Sequence, residues 1–171
     1  KLVEWIMNTD KEKEALDRLT ESHKKQNAQL KEANETLEHQ NVLAVENAKQ
    51  RGAATKEIQA LDKKLAEDQL KNFETVRDAR KKEYDDFIKT EARKNLYWAS
   101  PEGFKERLKK EEERLKKLNS VQKNALIEAE NDVKIQGKVL SELTEKQQTV
   151  LVVESEKKKA MSDSTAYMIA S

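Results

Sequence analysis

The chain has 171 residues, of which 39% are charged and 36% are hydrophobic. Globular domains are about 45–50% apolar and about 25% charged, so this chain has too little apolar surface for a rounded core. Its 34 basic and 33 acidic residues are interspersed and nearly cancel. That balance argues against a nucleic-acid-binding protein, which would present a basic face to phosphate. The sequence contains no cysteine, which excludes disulfides and thiolate metal sites.

The low content of helix-breaking residues favours long helices. One proline and three glycines are too few for a β-rich fold or a disordered linker. No stretch approaches the roughly 18 consecutive apolar residues of a transmembrane helix, and the first residues do not form the apolar segment of a signal peptide. The composition therefore predicts an all-α protein with no transmembrane segment in this chain.

The first arm, residues 1–97, is predicted to be one long helix. Apolar residues recur at alternating steps of three and four from Leu2 to Leu65, which is the a/d pattern of a coiled coil. The pattern passes through Gly52 without a change of phase, so we interpret this glycine as an interior helical residue that costs roughly 1 kcal/mol. The alternative is a loop at residues 51–55, which would give three helices.

Several stripe positions of this arm are polar. Such residues lower stability but can fix the register and the partner of a coiled coil. The histidine among them is predicted to lie in a core or an interface rather than to bind a ligand. The polar stripe positions are His23, Gln26, Gln40, Asn47 and Arg51.

The turn of the predicted hairpin lies at residues 98–103. Ser100, Pro101 and Glu102 match a helix start, with a side-chain oxygen at the N-cap, proline at N1 and an acid in the first turn. Proline also disfavours the α conformation of the residue before it. The first helix is therefore predicted to end around residues 97–99.

The second arm is predicted to be a helix over residues 104–160, followed by a tail at 161–171. Its apolar stripe is broader than an a/d seam, which is expected of a helix with more than one neighbour. The two arms together predict a single elongated domain over residues 1–171. This domain is an antiparallel coiled-coil hairpin of two helices, or of three helices if the loop at residues 51–55 is present. In such a hairpin the apolar residues near both ends of the chain would lie at the same pole.

Three aromatic residues flank the turn: Tyr97, Trp98 and Phe104. They have two interpretations. In the first they form a hydrophobic plug, with Trp98 packed on Phe104. In the second they are exposed and anchor a partner, since Trp and Tyr dominate interface hot spots.

The sequence contains no motif for chemistry. Phosphate-binding glycine motifs, a nucleophile elbow and zinc-ligand spacings are all missing. Glu35 and His39 share a helix face, but two ligands from one helix do not make a metal site. We therefore predict a protein that is not an enzyme, with no cofactor, no metal and no small-molecule substrate.

Residues 95–108 and the heptad stripes on either side of them resemble the long antiparallel helical hairpins of colicin-type bacteriocins. That resemblance implies a receptor-binding tip formed by Tyr97, Trp98 and Phe104, on a secreted or cell-surface bacterial toxin. The same pattern is similar to the coiled-coil regions of type III secretion translocators. The alternatives are such a translocator region and a structural spacer or oligomerisation coiled coil. The expected partners are a receptor, a coiled-coil protein or further copies of this chain.

Overall fold

The computed structural model describes residues 1–170 and is all-helical, as the composition predicts. It contains four helices, α1 (Leu2–Gln50), α2 (Thr55–Asn95), α3 (Phe104–Lys116) and α4 (Val121–Ala170). No strand occurs among the described residues. Residues 161–170 of the predicted tail belong to α4, and residue 171 lies outside the described part of the chain.

The prediction of one continuous helix across Gly52 is wrong. α1 ends at Gln50, and Gly52 has a φ of 73°, in the left-handed region. The N–H of Ala53 donates to the carbonyl of Ala48 at 2.9 Å and that of Gly52 donates to Lys49 at 3.0 Å. This pair of bonds is the Schellman motif, which ends a helix at a glycine. The alternative of a loop near residues 51–55 is therefore confirmed.

Substitution of two glycines distinguishes a helix end from a helix interior. Gly52→Ala is expected to lower the free energy of unfolding by about 1 kcal/mol, because a left-handed conformation strains a residue with a Cβ. The control is Gly137→Ala within α4, where an added Cβ meets nothing within 4 Å. It should raise stability by about 1 kcal/mol. Urea unfolding followed by circular dichroism measures both, and a stabilising Gly52→Ala would contradict the turn.

The second arm is also interrupted. Residues 117–120 separate α3 from α4, so the prediction of one helix over 104–160 is wrong. The N–H of Leu118 donates to Leu115 at 3.0 Å in the last turn of α3. The hydroxyl of Ser120 then accepts from the N–H of Lys123 at 3.0 Å, which is the N-cap bond that starts a new helix.

The chain forms two compact units. Unit 1 contains residues 1–33 and 72–133, and unit 2 contains residues 34–71 and the described residues from 134 onward. The apolar first residues therefore belong to unit 1 and the apolar last residues to unit 2.

In unit 1, α1 and α2 run antiparallel. Lys94 Nζ donates to Glu12 Oε1 at 2.8 Å, and His23 Nε2 donates to Glu83 Oε2 at 2.6 Å. Residue numbers of the bonded partners therefore increase along α1 as they decrease along α2, which is the pattern of antiparallel helices. The hydrophobic core of this unit is formed by α2, α3 and α4, with Phe87 and Leu108 packed against it. Its buried members are Tyr84, Ile88, Ala92, Leu115 and Leu126.

In unit 2, amide side chains connect the helices. Gln59 Nε2 donates to the backbone carbonyl of Gln147 at 3.1 Å, and Gln147 Nε2 donates to that of Gln59 at 2.8 Å. This reciprocal pair joins α2 to α4. Asn41 Nδ2 donates to Asp62 Oδ1 at 2.8 Å and joins α1 to α2. Because these groups need partners when they are removed from water, they help to fix the helix register.

The covered face of α1 departs from the predicted heptads. After Leu30, alternate covered positions lie one residue later than the predicted ones, whereas Leu37 and Ala44 are covered as predicted. The shifted residues are Asn34, Asn41 and Ala48, and the exposed heptad positions are Ala33, Gln40 and Asn47. The step from Leu30 to Asn34 is therefore four residues where three were predicted, which is a stutter in the heptad pattern. Beyond this step the covered residues again follow spacings of three and four.

Candidate functional site

The connection between α2 and α3, residues 96–103, is the first candidate site, and it contains the predicted turn. The N-cap prediction for Ser100 is wrong. Its hydroxyl accepts from the N–H of Glu102 at 3.3 Å, which is a turn bond two residues ahead. The carbonyl of Pro101 accepts from Phe104 at 3.3 Å, and Gly103, with a φ of 66°, occupies the N-cap position of α3.

The aromatic residues of the connection differ in exposure. Tyr97 is 89% exposed and Trp98 is 86% exposed, whereas Phe104 is half-buried. A Trp98 packed on Phe104 would lose most of its contact with water, so that form of the plug interpretation is wrong. Phe87 and Leu108 cover the nearby core instead. The fold thus leaves Tyr97 and Trp98 in solvent without using them for packing.

Polar bonds hold the helix ends on either side of this connection. Asn95 Nδ2 at the end of α2 donates to Glu111 Oε1 of α3 at 3.1 Å. Arg114 also bonds Glu111. The bond from Arg114, followed by that from Asn95, lowers the pKa of Glu111. The carboxylate therefore stays ionised and keeps both bonds at neutral pH, which keeps the two helix ends together.

The sequence immediately around the connection is basic. Residues 93–110 contain six basic and two acidic side chains, which gives a net charge of +4. The basic residues are Arg93, Lys94, Lys105, Arg107, Lys109 and Lys110, and the acidic residues are Glu102 and Glu106. Glu91 and Glu111–Glu113 lie just outside this segment, so residues 91–113 hold six basic and six acidic side chains and carry no net charge.

A polar cleft of about 310 Å³ in unit 1 is the second candidate. Side chains of α1, α2 and α4 line it, and two of its polar side chains, His23 and Arg80, are buried. Arg80 is only 2% exposed; its guanidinium donates to Gln26 Oε1, and to Asn27 Oδ1 at 3.5 Å. Glu83 lies 3.8 Å from Arg80 and accepts from His23. The buried charges are therefore already paired within the protein.

The electrostatics of the cleft follow from burial. Burial lowers the pKa of Arg80, while the nearby carboxylates Glu83 and Glu128 oppose that change. Burial, together with the charge of Glu128, raises the pKa of Asp132. Among residues 1–170 there is no group of three or more His, Cys, Asp or Glu side chains that could hold a metal ion. The bonded side chains of the cleft form a network that joins α1 to α2, and α4 lines its third side.

The raised pKa of Asp132 has a consequence for stability. The folded chain retains this proton at pH values where the unfolded chain has released it, so the free energy of unfolding falls as pH rises from about 3.8 through the raised pKa. At pH 7, Asp132→Asn is expected to be more stable than the wild type and to show a flatter pH dependence. Glu130→Gln, on the exposed side of the same helix, is the control. Thermal unfolding between pH 3 and 7 measures both effects. A lower stability of Asp132→Asn than of the wild type at pH 7 would contradict this prediction.

Comparisons with protein-family models, with curated proteins and with solved structures find no match to this chain. None of the helices in residues 1–170 is long and apolar enough to cross a membrane. The function has to follow from the groups that the fold leaves exposed. Of the three predicted site residues, Tyr97 and Trp98 lie together in solvent, and Phe104 lines a shallow groove beside Ala99 and Pro101.

Proposed function

We propose that this chain is a non-catalytic module that binds a protein partner, with Tyr97 and Trp98 as the anchors. The observation that carries this proposal is the exposure of both aromatic side chains on a connection whose flanking helices are joined by the bond from Asn95 of α2 to Glu111 of α3. Large aromatic side chains that stay in water are costly, and they provide large contact areas with little loss of conformational entropy when a partner covers them. Trp and Tyr are the residues most enriched in interface hot spots.

The anchors specify the partner surface. The favoured partner has an apolar pocket for Trp98, because burial of this side chain provides most of the contact area. The aromatic anchors would slow dissociation.

The wider role rests on the resemblance of residues 95–108 and their flanking stripes to colicin-type hairpins. In that proposal the helices form an antiparallel coiled-coil scaffold that presents Tyr97 and Trp98 to a receptor, and the full-length protein is a secreted bacterial toxin. This part is an analogy at the level of architecture.

A photo-reactive amino acid at position 98 tests the proposal. Position 5 is the matched control, because Trp5 is 65% exposed and lies in the same unit. Cross-linking at 98 and not at 5 should capture the partner, which is then purified for binding measurements. Trp98→Ala is expected to raise the Kd by about 30-fold or more, as a central aromatic hot spot does. Trp5→Ala should change the Kd by less than about twofold.

Two further measurements complete this test. Trp98→Ala should keep the helicity and the melting temperature of the wild type, because the side chain is 86% exposed. Binding to anionic vesicles is measured in parallel, since aromatic and basic residues also favour membrane surfaces. Three results would overturn the proposal. The first is equal capture at positions 5 and 98, and the second is a Kd that Trp98→Ala leaves unchanged. The third is vesicle binding that depends on Trp98 when no protein partner is found.

A further inference from the structure

One side of α4 in unit 2 carries three aliphatic residues that the rest of the described chain, residues 1–170, leaves exposed. Ile135 is 63% exposed, Val139 is 47% exposed and Val153 is 42% exposed. Exposed Glu142, Lys146 and Thr149 lie between them on the same side. These six residues, which we call the outer stripe, are spaced by three and four. The covered positions of α4, such as Gln136, Leu140 and Gln147, face the other way, into unit 2.

We propose that the outer stripe binds the outer stripe of a second copy of this chain, with the two α4 helices antiparallel. The outer stripe is complementary to itself when two copies lie antiparallel. In heptad terms, Val139, Lys146 and Val153 are a positions, and Ile135, Glu142 and Thr149 are d positions. Two antiparallel helices place each a position opposite a d position of the other helix, as knobs and holes require.

A single register matches every layer of this pairing. Ile135 of one copy faces Val153 of the second copy, and Val139 faces Thr149. Between these apolar layers, Glu142 faces Lys146 of the second copy, and two-fold symmetry gives that ion pair twice. Apolar side chains therefore meet apolar groups or a threonine methyl, and each charged residue meets the opposite charge.

Neighbouring registers do not match. A shift of one heptad in either direction places a valine, Val139 or Val153, against Glu142 of the second copy. Such a contact would remove a carboxylate from water without a partner, which is costly. The charges at positions 142 and 146 thus select the register, in the way that polar core residues do in coiled coils.

One charge beside the stripe opposes this pairing. Glu145 of each copy lies near the two-fold axis, so the two Glu145 side chains repel each other. Glu145 is solvent-exposed, so water and salt screen this repulsion, and surface pairs of this kind have small effects.

The inference does not depend on the aromatic anchors, because the outer stripe belongs to unit 2 and the anchors belong to unit 1. A dimer would give the module two copies of Tyr97 and Trp98, and hence avidity for a partner with repeated sites. It would also fit the alternative of an oligomerisation coiled coil. Failure of the anchor test therefore leaves this inference standing, and failure of dimerisation leaves the anchors standing.

Charge exchange is the decisive experiment, read by sedimentation equilibrium from about 1 to about 300 μM, a range suited to a small interface. The wild type should form dimers in this range. E142K and K146E should each raise the dimer Kd by about tenfold, because each places like charges opposite one another twice. The double exchange E142K/K146E should return the Kd to within about threefold of the wild type. A parallel pair would not show this rescue, because each position would then face itself.

Cysteine cross-linking gives a second readout, since the chain has no native cysteine. Ile135→Cys mixed with Val153→Cys should form a mixed disulfide under mild oxidation, and neither variant alone should dimerise covalently. Val42→Glu, which removes another exposed apolar residue from unit 2, is the control that should leave the Kd unchanged. A wild type that stays monomeric to about 300 μM, or a dimer insensitive to E142K and K146E, would overturn the inference.

Discussion

Replacement of Arg80 with Ala is expected to lower the free energy of unfolding by about 3 kcal/mol or more. Arg80 is 2% exposed, and its guanidinium donates to Gln26 and Asn27 of α1 and lies near Glu83. The substitution removes these bonds, leaves part-buried polar groups without a donor and empties the space of the side chain. Each of these effects is destabilising. Urea unfolding at pH 7 measures the loss.

Two control substitutions separate the contributions at position 80. Arg80→Met keeps most of the volume and removes the charge, so it should lose only about 1–2 kcal/mol, the cost of unsatisfied polar partners. Arg80→Lys keeps the charge but cannot reach two acceptors with a planar fork, and it should fall between the wild type and Arg80→Ala. An Arg80→Ala protein within about 0.5 kcal/mol of the wild type would mean that the network does not hold α1 to α2.

Replacement of Ile88 with Ala should also cost about 3 kcal/mol. Ile88 is 2% exposed in the core that α2, α3 and α4 share, so its truncation loses transfer free energy and leaves a cavity. Ile88→Val should cost only about 1 kcal/mol. Ile169→Ala, at a position that is 82% exposed in α4, is the matched control and should stay within about 0.5 kcal/mol of the wild type.

The loss at Ile88 depends on its burial in the core that α2, α3 and α4 share. If Ile88→Ala and Ile169→Ala lowered the free energy of unfolding equally, Ile88 would not be buried in that core. Thermal melts and urea titrations should also agree in rank, because the same surface is exposed in both.

The sequence predicts the helical class because composition and apolar spacing act locally. It fails at Gly52 because the apolar phase continues on both sides of the turn, and only the left-handed conformation of this glycine reveals the reversal. An interior glycine costs a helix only about 1 kcal/mol, which is too little to exclude a continuous helix on local grounds. The signal in the sequence is Gly52 itself, which follows the basic Lys49, as a glycine that ends a helix commonly does.

The break between α3 and α4 was missed for a similar reason. Leu115 and Leu118 keep the predicted spacing through the end of α3, although Leu118 is 49% exposed in the structure. Asn119 and Ser120, followed by Val121, are the signal, because Ser is a strong N-cap residue. The regular spacing of the leucines favours a continuous helix, and the single capping residue Ser120 is a weaker signal than this spacing.

For the candidate site, the sequence predicted Tyr97, Trp98 and Phe104 as binding residues but could not predict their exposure. Tyr97, Trp98 and Phe104 are neighbours in sequence, and only the path of residues 96–103 decides which of them reach solvent. The His23–Glu83 pair could not be predicted, because the two residues are 60 positions apart and their contact depends on the register of α1 against α2. The partners of Arg80 on α1 depend on the same register.

The central claim is that Trp98 is free in the isolated chain and becomes covered by a protein partner. The chain has two tryptophans, so Trp5→Phe leaves Trp98 as the only indole fluorophore. In the isolated chain we expect an emission maximum close to that of tryptophan in water and ready quenching by acrylamide. Addition of the partner captured at position 98 should shift the emission to the blue and protect Trp98 from acrylamide. A blue-shifted emission that acrylamide cannot quench in the isolated chain would show that the fold already covers Trp98, and would contradict its role as an anchor.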